Sequence, residues 1–256
     1  MYTKPESLPP RPGTPPVEPT PTPTPTPTLP PPPPPVMFVD IDGHWAYDNI
    51  VSCFYAGLVE GKGNGIFDPD GTFTRAEAAM IAYRIAPTKA MPTDKPIPTF
   101  MDVSPGTWYE AAIQWAVSWG LINPFVTTIG DETALRFHPD EPITREDTVI
   151  MLGRMVEQYY SEATQTKPKM TFPDIDMTKI EFQTYISELS GHGVINGYPD
   201  GTFRPNGKLT RAELATVVFR FLQVYGEAGK SNYLKQINLN YHHKNYFRLR
   251  RIRSFS

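Results

Sequence analysis

Phe203-Arg-Pro-Asn-Gly-Lys-Leu-Thr-Arg-Ala-Glu213 decides the reading of this chain, because the same landmarks stand in the same order at two earlier places. Phe67-x-Pro69 leads to Thr74-Arg75, and Phe137-x-Pro139 leads to Thr144-Arg145, at the spacing that joins Phe203-x-Pro205 to Thr210-Arg211. Each copy also carries an upstream Phe-x-Asp: Phe38-Val-Asp40, Phe100-Met-Asp102 and Phe172-Pro-Asp174. Between these markers lie Ile50 and Gly57, Ile113 and Gly120, and Ile186 and Gly193. Such recurrence marks a repeat protein, in which one small unit cannot bury its apolar face alone and the copies must share a core.

The unit reads as helix, glycine-rich loop, helix. In the first copy a helix from about Trp45 to Ala56 carries Ala46, Ile50, Cys53 and Phe54 at helical spacing, with Gly57 as its stop. Thr74-Arg-Ala-Glu77 then opens a second helix with a capping box, in which the Thr hydroxyl and the Glu carboxylate each accept from an amide that the helix start leaves unpaired. Thr210-Arg-Ala-Glu213 repeats the box, and Thr144-Arg-Glu-Asp147 is a weaker form of it. The following helices carry apolar stripes such as Leu214, Val217, Val218, Phe221 and Leu222. Two departures stand out. The second copy has extra residues around Phe125–Asp131, expected as a protruding loop, and the third has Glu181 where the others place Trp45 and Trp108.

Capping explains Thr74, Thr144, Thr210, Glu77, Asp147 and Glu213, but not the arginine beside each Thr. A cation in the first turn opposes the helix dipole, at about a few tenths of a kcal/mol when exposed. Two readings remain open for Arg75, Arg145 and Arg211. Each pairs with an aspartate such as Asp40, Asp102 or Asp174, or each joins free helix-start amides in holding an external anion. Trp45 and Trp108 likewise fit either the core or a stacking face for a sugar ring, and Trp115 and Trp119 fit packing.

The rest of the chain narrows the function by exclusion. Seventeen of the 30 prolines fall in the first 35 residues, with Thr-Pro alternation over 20–28 and six prolines over 30–35. That composition predicts an extended polyproline spacer, open to glycosylation at its threonines. The net charge of −3 hides a basic tail, and residues 1–229 carry about −10, a balance unsuited to neutralising phosphates of nucleic acid. Cys53 is alone, so no disulfide framework exists within the chain, and its apolar neighbours predict a buried, inert thiol. The Asp68-Pro-Asp70-Gly71 loop fails as a calcium site because its first ligand position would be Ile66, and the histidines lack metal-ligand spacing. No metal, cofactor or catalytic constellation is predicted, and no stretch approaches a membrane span. No export signal is visible, so the chain is expected to be part of something longer.

Taken together, Phe-x-Asp, Trp-Ala, the Ile and Gly markers, Gly193-Val-Ile-Asn-Gly-Tyr-Pro-Asp-Gly-Thr-Phe-Arg-Pro205 and Thr-Arg-Ala-Glu resemble the S-layer homology (SLH) domain, with three copies over about residues 37–225. The resemblance implies an all-α fold of three helix–loop–helix repeats in a pseudo-threefold arrangement around a central three-helix bundle. It divides the chain into a linker over 1–36, repeats over 37–98, 99–170 and 171–226, and a basic tail over 227–256. It also implies extracellular anchoring, non-covalent, to a peptidoglycan-linked anionic polysaccharide, often pyruvylated. By the same resemblance the ligand grooves between repeats would use Arg75, Arg145 and Arg211, together with Asp40, Asp102, Asp174, Trp45 and Trp108, with the first-copy groove the best formed. The competing expectations are a self-assembling surface-layer protein, a protein–protein module, and the attached remnant of an enzyme whose catalytic part lies outside this chain.

Overall fold

A computed structural model describes residues 38–160, 171–176 and 179–226; the expected linker over 1–36 and tail over 227–256 lie outside the described residues. Six helices carry the three copies: α1 (Tyr47–Tyr55) and α2 (Arg75–Ile85), α3 (Glu110–Ser118) and α4 (Arg145–Tyr159), α5 (Ile180–Gly191) and α6 (Arg211–Val224). The first helix of each copy ends in the same Schellman turn. In α1 the Gly57 amide donates to Phe54 O and the Leu58 amide to Cys53 O, both at 2.9 Å. Gly120 with Leu121, and Gly193 with Val194, repeat this pair of bonds. The turn needs a left-handed residue, and Gly57, Gly120 and Gly193 supply φ of 69°, 68° and 72° without a Cβ clash.

The second helices begin as their sequence demands. Thr74 and Thr210 complete reciprocal capping boxes with Glu77 and Glu213. Thr144 accepts from the Asp147 amide, but the return bond is not made. Aspartate is one methylene shorter than glutamate, and the Asp147 carboxylate instead lies 3.6 Å from the Arg75 guanidinium.

The copies are joined in a cycle. α2 packs on α3, α4 on α5, and α6 on α1, so each second helix covers the first helix of the next copy and the last copy closes on the first. Three backbone bonds run round the same cycle just ahead of the capping threonines: Ile143 N to Phe73 O at 2.9 Å, Phe73 N to Leu209 O at 3.1 Å, and Leu209 N to Ile143 O at 3.5 Å. One continuous core links all three copies, with Phe67, Phe137 and Phe203 fully buried in equivalent places. Cys53 is part of it. Its thiol donates to Ala215 O at 3.3 Å across the α1–α6 joint, and burial pushes its pKa up to about 12, which makes it the inert thiol expected.

The extra residues of the second copy are not an irregular loop. They form an antiparallel hairpin, β1 (Phe125–Ile129) and β2 (Glu132–Arg136), closed by Gly130 and Asp131, so the described fold is helical with one two-stranded addition rather than purely helical. The β-branched run Val126-Thr-Thr-Ile129 suits an extended ribbon, and Gly130 at φ 63° permits the tight reversal. The Met101 amide bonds to Leu135 O at 2.9 Å and ties the hairpin to its own repeat.

Candidate functional site

The aspartates and the first-turn arginines meet at one peptide, and neither arrangement read from the sequence describes how. Asp40 accepts from the Phe67 and Asp68 amides at 2.9 and 2.6 Å, Asp102 from Phe137 and His138 at 2.9 Å each, and Asp174 from Phe203 and Arg204 at 2.8 and 2.7 Å. The second residue of each pair, Asp68, His138 or Arg204, has a positive φ of 55–62°, so the carboxylate holds a turn that a side-chain residue rarely adopts. Burial tends to raise the pKa of Asp40 and Asp174, but the amide bonds outweigh it and both lie below the usual carboxylate value.

The carbonyls of those same phenylalanines are taken from the neighbouring copy. Arg75 Nε donates to Phe137 O at 2.9 Å, Arg145 Nε to Phe203 O at 2.8 Å, and Arg211 Nε to Phe67 O at 2.7 Å. Each Nη2 takes a second carbonyl in the loop after the Schellman turn: Asn123 at 3.0 Å, Asn196 at 2.6 Å and Glu60 at 2.5 Å. The guanidinium faces lie over Phe137, Phe203 and Phe67 at 4.9, 4.4 and 4.6 Å. All three side chains are buried, at 4%, 4% and 2% exposure, and desolvation draws Arg75 and Arg145 below the ordinary guanidinium value. They clasp one repeat to the next.

The helix-start amides are occupied as well. Arg75 N and Ala76 N donate to Glu141 O and Pro139 O, Arg145 N and Glu146 N to Gly207 O and Pro205 O, and Arg211 N and Ala212 N to Gly71 O and Pro69 O. The expectation of free amides converging on an external anion is therefore corrected: the next copy's loop supplies the acceptors.

A cavity of about 320 Å³ opens beside this clasp in the first copy. Its wall combines the loop after Gly57, the outer face of α2, Arg211 from the third copy and Trp108 from the second. Trp45 and Trp108, for which sequence alone favours the core, are instead 64% and 60% exposed. Trp115 is the buried one. The cations at this cavity are Lys62, Arg84 and Arg211, set against Glu60 and Glu77. Arg211 donates to Glu77 at 2.6 Å, Lys62 to Glu77 at 3.2 Å, and Arg84 to Leu58 O at 3.0 Å and to the Glu60 carboxylate.

Sequence reasoning missed Arg84 and Lys62. The signal for Arg84 was in the repeat: Arg84, Arg154 and Arg220 each stand nine residues after the Thr-Arg arginine. Arg154 is held by Glu181 and Asn123, and Arg220 Nη1 lies 3.2 Å from the Asn196 side-chain amide. Among the described residues no cluster of His, Cys, Asp and Glu fits a metal ion, and no helix is long and apolar enough to cross a membrane.

The family model for the S-layer homology domain matches residues 38–79, 99–149 and 171–215, once per copy. The chain belongs to the S-layer homology domain family. Relatives carrying this SLH region differ widely in what surrounds it. An amylopullulanase of Thermoanaerobacterium thermosulfurigenes is 30% identical over 74% of this chain and 10% of its own length. A cellulosome-anchoring protein of Acetivibrio thermocellus is 31% identical over 66% of the chain and 36% of its own length. An S-layer protein of Bacillus anthracis is 30% identical over 76% of the chain and 22% of its own length. The matched stretch is thus a minor part of each relative, and the SLH module is a non-catalytic unit that enzymes and surface-layer proteins both carry.

Proposed function

We propose that this SLH chain anchors whatever protein carries it to the outside of a bacterial cell by binding an anionic secondary wall polysaccharide, pyruvylated or otherwise carboxylated, in the grooves between its repeats. The observation that carries the reading is the first groove, where the exposed Trp108 indole and the Arg84 and Lys62 cations border one cavity of about 320 Å³. An aromatic face with cations beside it suits a sugar ring bearing a carboxylate: the indole covers the apolar face of the ring, and a guanidinium offers paired donors to the acid. The cyclic packing of α2, α4 and α6 on the first helices supports a pseudo-threefold arrangement with these three helices central. In that arrangement Arg75, Arg145 and Arg211, with Asp40, Asp102 and Asp174, shape and hold the groove floors. At the rim of the first groove, Arg84 and Trp108 meet the ligand.

Relatives that are a cellulosome-anchoring protein and S-layer proteins agree with a surface role. The test is co-sedimentation of the chain with Gram-positive wall sacculi, intact or stripped of their secondary polymer by acid. Binding to intact walls alone, lost in Trp108→Ala, is the expected result. Equal binding to both preparations would end the polymer reading and favour self-assembly or a protein partner.

A further inference from the structure

The three outer arginines share one place in the repeat but not one set of partners. Each meets the residue three positions beyond the Schellman glycine of its own copy: Arg84 meets Glu60, Arg154 meets Asn123 at 2.9 Å, and Arg220 meets the Asn196 amide at 3.2 Å. That contact is common to all three. The difference lies in what the following helix brings to the rim. α3 brings Trp108 to the first groove, and Trp45 holds the same register ahead of α1, which packs on α6. α5 brings Glu181.

Glu181 grips Arg154 at two points, accepting from Nε at 2.7 Å and from Nη2 at 3.1 Å. Arg154 Nη1 donates to Gly120 O at 2.7 Å as well as to Asn123 Oδ1. Of the five N–H donors of a guanidinium, four are thereby engaged inside the protein. A second ion pair, Lys179 to Glu146 at 2.6 Å, ties the start of α5 to α4 beside the first.

We infer that Glu181 is a built-in stand-in for the ligand's anion, so that the second groove is closed by the protein's own carboxylate and the chain presents two ligand grooves. This rests on the polymer-binding reading above and adds the residue that selects among its grooves. A carboxylated sugar arriving at Arg154 has to displace a bidentate partner attached to the same chain, whose effective concentration a free ligand cannot match. It also meets a like charge where the first groove offers an indole, and exclusion by like charge is a recurrent source of specificity.

The experiment titrates the full chain with a methyl glycoside bearing a pyruvate ketal, following the Nε–H resonances of Arg84, Arg154 and Arg220. Wild type, Glu181→Gln and Glu181→Trp are compared. In wild type Arg84 and Arg220 shift and Arg154 does not; in Glu181→Trp Arg154 joins them, and the stoichiometry rises from two to three. A wild-type Arg154 that shifts at the same probe concentration as Arg84, or a Glu181→Trp chain with no added site, overturns the inference. Should the probe move none of the three, the ligand reading falls, and closure is read without it by phenylglyoxal labelling and mass spectrometry. Glu181→Gln then raises Arg154 labelling by about fivefold, the loss of a partly exposed ion pair, with Arg84 unchanged. Equal Arg154 labelling in both chains overturns closure by itself.

Discussion

Arg211 and Arg84 both border the first cavity, and they come from second helices of the same design, yet one side chain is 2% exposed and the other 27%. The inner one is fixed by backbone carbonyls of Phe67 and Glu60, which cannot turn away without unfolding the loop that bears them. The outer one is held in part by the Glu60 side chain, itself 72% exposed and free to exchange its guanidinium for water or a ligand. The same chemical group is a joint in one place and a binding group in the other. Partner type and solvent access decide which, and the contrast is open to direct attack.

The largest effect belongs to the inner ring. Arg211→Ala leaves two buried carbonyls without their donor and the Glu77 carboxylate with Lys62 as its remaining cation, and breaking such a buried pair costs about 3–5 kcal/mol. Urea denaturation reads the loss. Cys53 labelling places it, because the thiol sits on the α1–α6 joint that Arg211 helps to close and reacts only when that joint opens. Faster labelling is expected in Arg211→Ala. Arg211→Lys rescues little, since one ammonium cannot satisfy three acceptors in a planar fork. An Arg211→Ala chain with an unchanged midpoint would abolish the distinction between the two rings.

The aspartates that hold the other side of the same peptides give the next effect. Asp40 and Asp174 have folded-state pKa values below those of the unfolded chain, which lie near 3.9. Between the two values the unfolded chain binds more protons, so stability rises with pH through that window and is complete above it. The contribution is therefore lost as pH falls below about 4. Asp40→Asn is expected to weaken the fold at neutral pH by about 1.5–3 kcal/mol, the worth of bonds to a charged acceptor, and to flatten the acid limb of a melting-temperature profile. A profile as steep as wild type would mean that Asp40 does not carry the acid sensitivity.

Much of this scaffold was legible in the sequence because its determinants are local. Gly57, Gly120 and Gly193 announce Schellman stops, and Thr74 with Glu77 announces a cap, since each acts within one turn of chain. The clasp was not legible. Arg75 reaches 62 residues ahead to Phe137 O, and no local rule says that a first-turn arginine will find its acceptors in the next repeat. Arg84 was hidden differently: a lone arginine in a helix reads as a solvated face, and only its recurrence at Arg154 and Arg220 sets it apart. The hairpin reads as a loop in the sequence because neither Phe125–Ile129 nor Glu132–Arg136 alternates apolar and polar residues, so no buried face announces the strands.

A smaller effect tests the caps. Thr74→Ala removes the hydroxyl that accepts from the Glu77 amide and is expected to cost about 1 kcal/mol. Thr144→Ala, which removes the matching bond from the Asp147 amide, is expected to cost about the same, because the Glu77 return bond to the residue-74 backbone amide survives the substitution. Thermal melts of the two variants side by side check this, and a clearly larger loss in Thr74→Ala would show that the two bonds of its box depend on one another.

The smallest effect on stability should accompany the largest on binding. Arg84→Ala removes a rim ion pair of the kind that contributes about 0.2–1 kcal/mol, so its urea midpoint should lie close to wild type. Its wall binding should fall, because the cation beside Trp108 is gone while the cavity remains. Arg154→Ala is the matched control: its guanidinium is already engaged by Glu181, so removal should leave wall binding unchanged even if stability drops slightly. Stability and binding then separate along the chain in opposite senses, Arg211→Ala losing the fold and Arg84→Ala losing the ligand. If Arg84→Ala instead unfolds the chain, the rim is part of the joint, and the groove has to be sought where exposed cations face no internal partner.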